Sequence, residues 1–251
     1  MGAEVALVTE TFIALLFAHV IADFLLQGKA MVARKREAPV LFAHVAVVAV
    51  TAWVATGFAL HPAILLLATL HLVTDALKLW VLGDRLGGFL GDQALHLAAL
   101  VGIALWVPGL YGMGLWSAPP PALAGLAPAL AALPASMAYG AGAILAVVAG
   151  GHAVGKLLQP FLAAEPSLTA DSLEDAGRII GRVERALAFL LVVVGEAAGV
   201  GLLLAAKSVL RFPTAKDDRK ISEYVIIGTL ASIGWALAIG FATTGLVLLR
   251  P

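Results

Sequence analysis

The chain contains no cysteine among its 251 residues. That excludes disulfides and thiolate metal ligands and leaves the redox compartment open. Charge is also scarce: Asp, Glu, Lys and Arg make up 13% of residues, against about 25% in soluble domains. The formal net charge is zero, so no global field attracts a polyanion, and nucleic acid is not an expected partner. The strand-period alternation of a membrane barrel is missing as well. The opening MGAEVALVTE has no basic stretch ahead of its apolar run, and that run carries His19 and Asp23. The first segment is therefore expected to stay as a helix rather than to be a cleaved leader.

What fills the chain instead is apolar, with 61% of residues hydrophobic. A membrane span needs about 20 mostly apolar residues. Candidate segments run from Glu4 to Gln27, Ala38 to Leu60, Pro62 to Leu82, Gly88 to Val107, Ala135 to Leu158, Gly177 to Leu210 and Ile221 to Leu249. The expected fold is an all-α polytopic transmembrane bundle of about seven spans. Residues 1–107 would form a four-helix module, residues 108–134 a Pro/Gly-rich connection and residues 135–251 the C-terminal helices. Thr169 or Asp171 could N-cap the sixth segment.

Basic residues near segment ends indicate orientation. Lys29, Arg34, Lys35 and Arg36 follow the first segment, and Lys78 and Arg85 flank the end of the third, whereas the loops after the second and fourth hold no Lys or Arg. This predicts an N-terminus outside and cytoplasmic loops after the first and third segments. The C-terminal half fits less well. If the sixth segment spans, Lys207, Arg211, Lys216, Arg219 and Lys220 fall outside, so it either bends back at Gly195, Gly199 and Gly201 or the fifth does not span.

Ionisable residues inside the first four segments carry the functional signal, because such groups are costly in a membrane and usually mark function. His19 and Asp23 are four apart, as are His71 and Asp75; Asp92 and His96 repeat the spacing in reverse, and His44 stands alone. Residues at i and i+4 share a helix face. With a rise of about 1.5 Å per residue, His19, His71 and His96 lie roughly 12–16 Å, and Asp23, Asp75 and Asp92 roughly 6–10 Å, from the same membrane face. Antiparallel helices thus bring all seven groups into one leaflet. Imidazole with carboxylate suits Zn²⁺ first, with Mn²⁺ or Fe²⁺ as alternatives. The expected ligands are His19, Asp23, His71, Asp75, Asp92 and His96, holding one or two ions, with His44 as ligand or general base. Lys78 would neutralise a substrate anion, and Gln27 and Gln93 would donate hydrogen bonds to substrate.

Other ionisable residues call for less. His61, before Pro62, is expected at an interface, and His152 with Lys156 could join the cluster. Glu196 lies mid-segment and needs a partner; Lys207 could pair with Glu223; Arg182, Glu184 and Arg185 could contact lipid phosphates at an interface.

The patterns H-x3-D-F-x2-Q at 19–27, His44, H-x3-D-x2-K at 71–78 and D-Q-x2-H at 92–96 resemble the bacterial membrane family catalogued as domain of unknown function 3307. G-R-x-E-R at 181–185, A-K-S at 206–208 and S-E-Y at 222–224 resemble its longer members. The resemblance implies a membrane bundle and a site, without a substrate. The H-x3-D pairs are more loosely similar in spacing to membrane-bound metal-dependent hydrolases. The leading expectation is a metal-dependent hydrolase acting on a lipid or lipid-linked phosphate or ester at the cytoplasmic leaflet. Membrane lipid would be its partner, and a homo-oligomer stays open. The alternatives are a transporter or proton relay using the His/Asp cluster, and a non-enzymatic assembly protein with a structural polar network.

Overall fold

A computed structural model describes residues 2–164, 176–211 and 219–250. The described elements are helices joined by short connections, with no strand among the described residues. They are α1 (Gly2–Ile21), α2 (Lys29–Ala33), α3 (Ala38–Ala55), α4 (Ala63–Leu77), α5 (Leu86–Trp106), α6 (Ala127–Ile144), α7 (Gly150–Ala164), α8 (Ala176–Val193), α9 (Gly199–Arg211) and α10 (Arg219–Leu248). Single π-helical turns, Ala22–Leu26, Lys78–Leu82 and Leu145–Ala149, extend α1, α4 and α6. Six helical stretches are long and apolar enough to cross a membrane. Large apolar side chains such as Leu65, Val73, Leu105 and Phe42 face outward, as a lipid-solvated bundle requires. The chain is an integral, all-α polytopic membrane protein.

The chain divides into two compact units, Met1–Ala141 with Leu246–Pro251, and Gly142–Gly245. In the first, α1 packs on α3 and α5, and α4 packs on the same two, closing a four-helix ring. Ile13, Leu15, Leu67, Leu100 and Ile103 fill one end of it. Small residues, among them Ala14, Ala18, Ala52 and Ala104, are buried between the helices and allow the close backbone approach that membrane packing needs. Pro39 starts α3, and the left-handed backbone of Gly57 and Phe58 (φ +71° and +61°) ends the connection after it. The His61 ring accepts the Ala63 N–H at 3.1 Å and so caps α4. Thr11 donates to the Pro108 carbonyl at 2.6 Å and accepts the Tyr111 N–H at 3.1 Å, tying the loop after α5 onto α1.

Three expectations need correction. The connection over 108–134 is shorter than composition suggests: a 3₁₀ segment, Pro121–Leu126, leads into α6 at Ala127, and Pro134 is carried inside that helix. The sixth segment is not one span. It breaks after Val193 at Gly195 (φ +84°) and returns as α9, so that Lys207 reaches Glu184 at 2.7 Å. This is the bend-back alternative, and it brings Lys207 to the end of the hairpin that holds Arg182 and Arg185. Glu196 therefore sits exposed in a turn rather than within a span. Thr169 and Asp171 lie outside the described residues.

Gly57 and Gly114 bring two loops of the first unit into backbone contact: Leu115 N–H donates to Gly57 O at 2.8 Å. A Cβ on Gly57 would stand 2.8 Å from both the Leu115 and Trp116 nitrogens, in a backbone conformation that already disfavours side chains. Gly57→Ala should destabilise the protein by about 2 kcal/mol or more. Gly102→Ala, where a Cβ meets open space, should be neutral or slightly stabilising. Thermal denaturation in one detergent compares the two; equal melting points would contradict the contact.

Candidate metal centre

Each helix of the ring contributes to one polar cluster at the end that carries the 28–37 and 83–85 connections. α1 supplies His19, and the π turn after it supplies Asp23. α3 supplies His44, α4 supplies His71 and Asp75, and α5 supplies Asp92, Gln93 and His96. The π turn after α4 begins at Lys78. π turns are rare and concentrate at functional sites; here two of three begin at or one residue before a cluster side chain.

The geometry is tight. His44 Nε2 and His71 Nε2 are 3.1 Å apart, so one of them carries the proton between them. Asp23 Oδ1 lies 3.3 Å from His44 Nε2 and 3.5 Å from His71 Nε2. Asp75 Oδ2 lies 3.4 Å from His71 Nε2 and 3.6 Å from His44 Nε2. His19 Nδ1 is 3.8 Å from Asp23 Oδ2. On the facing side His96 Nδ1 donates to its own turn, at 2.9 Å from the Asp92 carbonyl. The His96 ring stacks on His19 at 4.9 Å and tilts against His71 at 4.2 Å between centroids. His44 is fully buried, and Asp75 and Asp92 are each 1% exposed.

Three sets of ligand atoms, each within 4.8 Å of one another, could hold an ion: His19, Asp23 and His71; His44, His71 and Asp75; and Asp75, Asp92 and His96. The six expected ligands and His44 are thus brought together. Several of their polar atoms are buried without a hydrogen-bond partner, namely His19 Nδ1, Asp23 Oδ1, His44 Nδ1, Asp92 Oδ1 and His96 Nε2. Native interiors rarely leave such atoms unpaired, and a bound cation would satisfy the unprotonated ones. Imidazole nitrogens and carboxylate oxygens are the donor set that Zn²⁺, Mn²⁺ or Fe²⁺ accepts.

Lys78 donates to Asp92 Oδ2 at 2.8 Å, beside the Gln93 amide at 3.1 Å. Gln93 Oε1 also meets His19 Nε2 at 3.4 Å, linking α5 to α1. Gln27 Nε2 is buried without a partner. His152 and Lys156 lie on α7, in the second unit. One member escaped sequence reasoning. Lys35 looked like a topology signal in a basic loop; instead its ammonium lies 2.7 Å from Asp75 Oδ2, with the side chain 9% exposed. The chain after α2 turns it inward while Arg34 pairs with Glu37 at the surface at 2.7 Å, and Arg36 donates to the Leu79 carbonyl at 3.1 Å. A visible signal was the run of three cations, Arg34, Lys35 and Arg36, opposite a single acidic neighbour, Glu37.

Beyond the histidines the ring is apolar. Leu15, Ala52, Leu67 and Leu100 surround a cavity of about 10 Å³ against His19, His71 and His96, room for one water at most.

Residues 11–111 match the model of a family described as protein of unknown function (DUF3307). The matched stretch covers most of the N-terminal module and holds the whole cluster. The motifs at 181–185, 206–208 and 222–224 lie outside the matched stretch. No curated protein and no solved structure matches the chain.

Removing one partner of a buried ion pair leaves an uncompensated charge, typically at about 3–5 kcal/mol. Lys35→Met should therefore destabilise the protein by about 3 kcal/mol. Lys35→Met combined with Asp75→Asn should recover part of that loss. A double variant at least as unstable as the sum of both single changes, by thermal denaturation, would show that the pair contributes nothing.

Proposed function

We propose that the N-terminal module is a metal-dependent hydrolase of the bacterial inner membrane, N-terminus outside, acting on a lipid or lipid-linked phosphate or ester at the cytoplasmic leaflet. One observation carries this reading: four histidines and three aspartates from four helices converge on overlapping ligand sets in an apolar bundle. A structural polar network would return little for that expense, since interhelical hydrogen bonds in membranes are worth about 1 kcal/mol each.

His19, Asp23 and His71 would hold one ion, and Asp75, Asp92 and His96 a second. Bound there, a divalent ion would supply Lewis-acid polarisation of a phosphoryl or carbonyl oxygen and a more acidic water at neutral pH. His44 is the residue suited to take a proton, because neither of these two ligand sets includes it and its Nε2 lies at their edge, 3.1 Å from His71 Nε2. Gln93 orients His19 and Asp92. Lys78, the more exposed of the two lysines on the cluster, binds the substrate anion once Asp92 is otherwise satisfied, and the Gln27 amide donates to a substrate oxygen. The apolar closure beyond His19, His71 and His96 supports a pocket with one entrance, near Lys78, rather than a path through the membrane.

Elemental analysis of protein purified from metal-replete medium tests the reading. About one or two first-row ions per chain are expected, and Asp75→Ala combined with His96→Ala should remove most of them. Wild type without metal, or a double variant that keeps its full complement, would sink the proposal. Lys78→Met should keep the metal and lower turnover of a phosphate-bearing substrate by roughly 10²-fold or more.

A further inference from the structure

The second unit contains its own cavity, about 350 Å³ in volume, within the roughly 300–1,000 Å³ of small-molecule sites. Residues of α7, α8, α9 and α10 line it. Its chemical centre is Arg185, 4% exposed. Nε and Nη2 donate to the Val147 carbonyl at 3.2 and 2.9 Å, and Nη1 donates to Ser232 Oγ at 3.1 Å. Val147 lies in the π turn Leu145–Ala149, a geometry that departs from the α-helical bonding pattern and leaves a carbonyl for the arginine. The acceptors occupy three of the five guanidinium N–H groups, and neither is charged.

The nearest carboxylate in sequence, Glu184, is taken by Lys207 at 2.7 Å. Among the described residues Arg185 has no carboxylate partner. Its passage is shaped by glycines: a Cβ on Gly150, Gly151 or Gly181 would stand 3.0, 3.0 or 3.1 Å from its side chain. Glu184 lines the same cavity but is held by Lys207, so among the described residues the Arg185 guanidinium meets only neutral acceptors, an expensive arrangement for a buried charge unless a counter-charge arrives. Lys207 and Arg178 line the same cavity, together with the apolar Val154, Leu158 and Ile180.

We infer that this cavity binds a phosphate oxyanion on Arg185, with the apolar lining taking the adjoining part of an anionic lipid. The planar guanidinium fork matches phosphate oxygens, and Val154, Leu158 and Ile180 give a lipid an advantage over free phosphate. The site is separate from the metal centre and does not depend on the hydrolase reading.

Thermal stability of the full chain in a neutral detergent tests this, with phosphatidylglycerol, phosphatidylcholine and inorganic phosphate as probes. Phosphatidylglycerol is expected to raise the melting temperature well above the effect of phosphatidylcholine. Protection by inorganic phosphate alone would keep the anion site and assign its source to free phosphate. Gly155→Leu fills the cavity from a position where a Cβ meets nothing within 4 Å, and Arg185→Lys keeps the charge but not the fork. Each should weaken the protecting probe's affinity by at least about tenfold. If neither phosphatidylglycerol nor inorganic phosphate protects beyond phosphatidylcholine, whose phosphate is offset by its own quaternary ammonium, or if both variants are protected like wild type, the inference is overturned.

Discussion

Burying carboxylates in an apolar bundle sets the terms for the rest of the first unit. Asp75 and Asp92 are almost fully enclosed, and an isolated carboxylate so placed would be too costly to stay charged. Each meets a lysine from the same end of the bundle: Lys35 at 2.7 Å and Lys78 at 2.8 Å. Those contacts reach beyond themselves. They draw the connection between α1 and α3 back over the end of the ring, and they hold the π turn after α4 against α5. Asp23, without a lysine, lies instead among three histidine rings.

The two ends of the ring consequently differ in kind. One is packed with Ile13, Leu67, Ile103 and small residues, and polar groups such as Thr11 there serve backbone donors and acceptors of loops. The other is a polar cluster sealed by flexible ammonium side chains. Lysine is suited to such a seal, since its charge is compact and its stem can swing without disturbing the backbone. The cluster does not continue into the apolar end of this ring.

Much of this was legible in the residues themselves. The i, i+4 spacing of His19 with Asp23, His71 with Asp75 and Asp92 with His96 survives as shared faces, because helical periodicity is local and needs no knowledge of packing. Depth was legible too, since antiparallel connectivity follows from short loops. Lys35 was not, because the inward turn of one cation among three depends on where Asp75 arrives from a distant helix. The long sixth segment misled for a related reason. Its composition allows a span, but Gly195 adopts a left-handed backbone and the Lys207–Glu184 pair closes a hairpin, and both depend on tertiary contact. The start of α6 at Ala127 was hidden by Pro128, which a helix tolerates in its first turn, and by Pro134, which this helix carries in its interior.

The π turn at Ala22–Leu26 has a consequence for how tolerant this region is of changes in length. Successive residues of an α-helix are rotated by about 100°, so spacing alone decides which side chain looks inward. A π turn takes up more chain than an α turn, and this one follows His19 and carries Asp23, both of which the cluster uses. Loss of one residue there restores ordinary α-helix and keeps the chain beyond it in register, whereas loss of a second rotates everything beyond by about 100° and leaves hydrophobicity almost untouched. The segment is thus indexed by count as well as by composition, and a hydropathy profile would register no change at all.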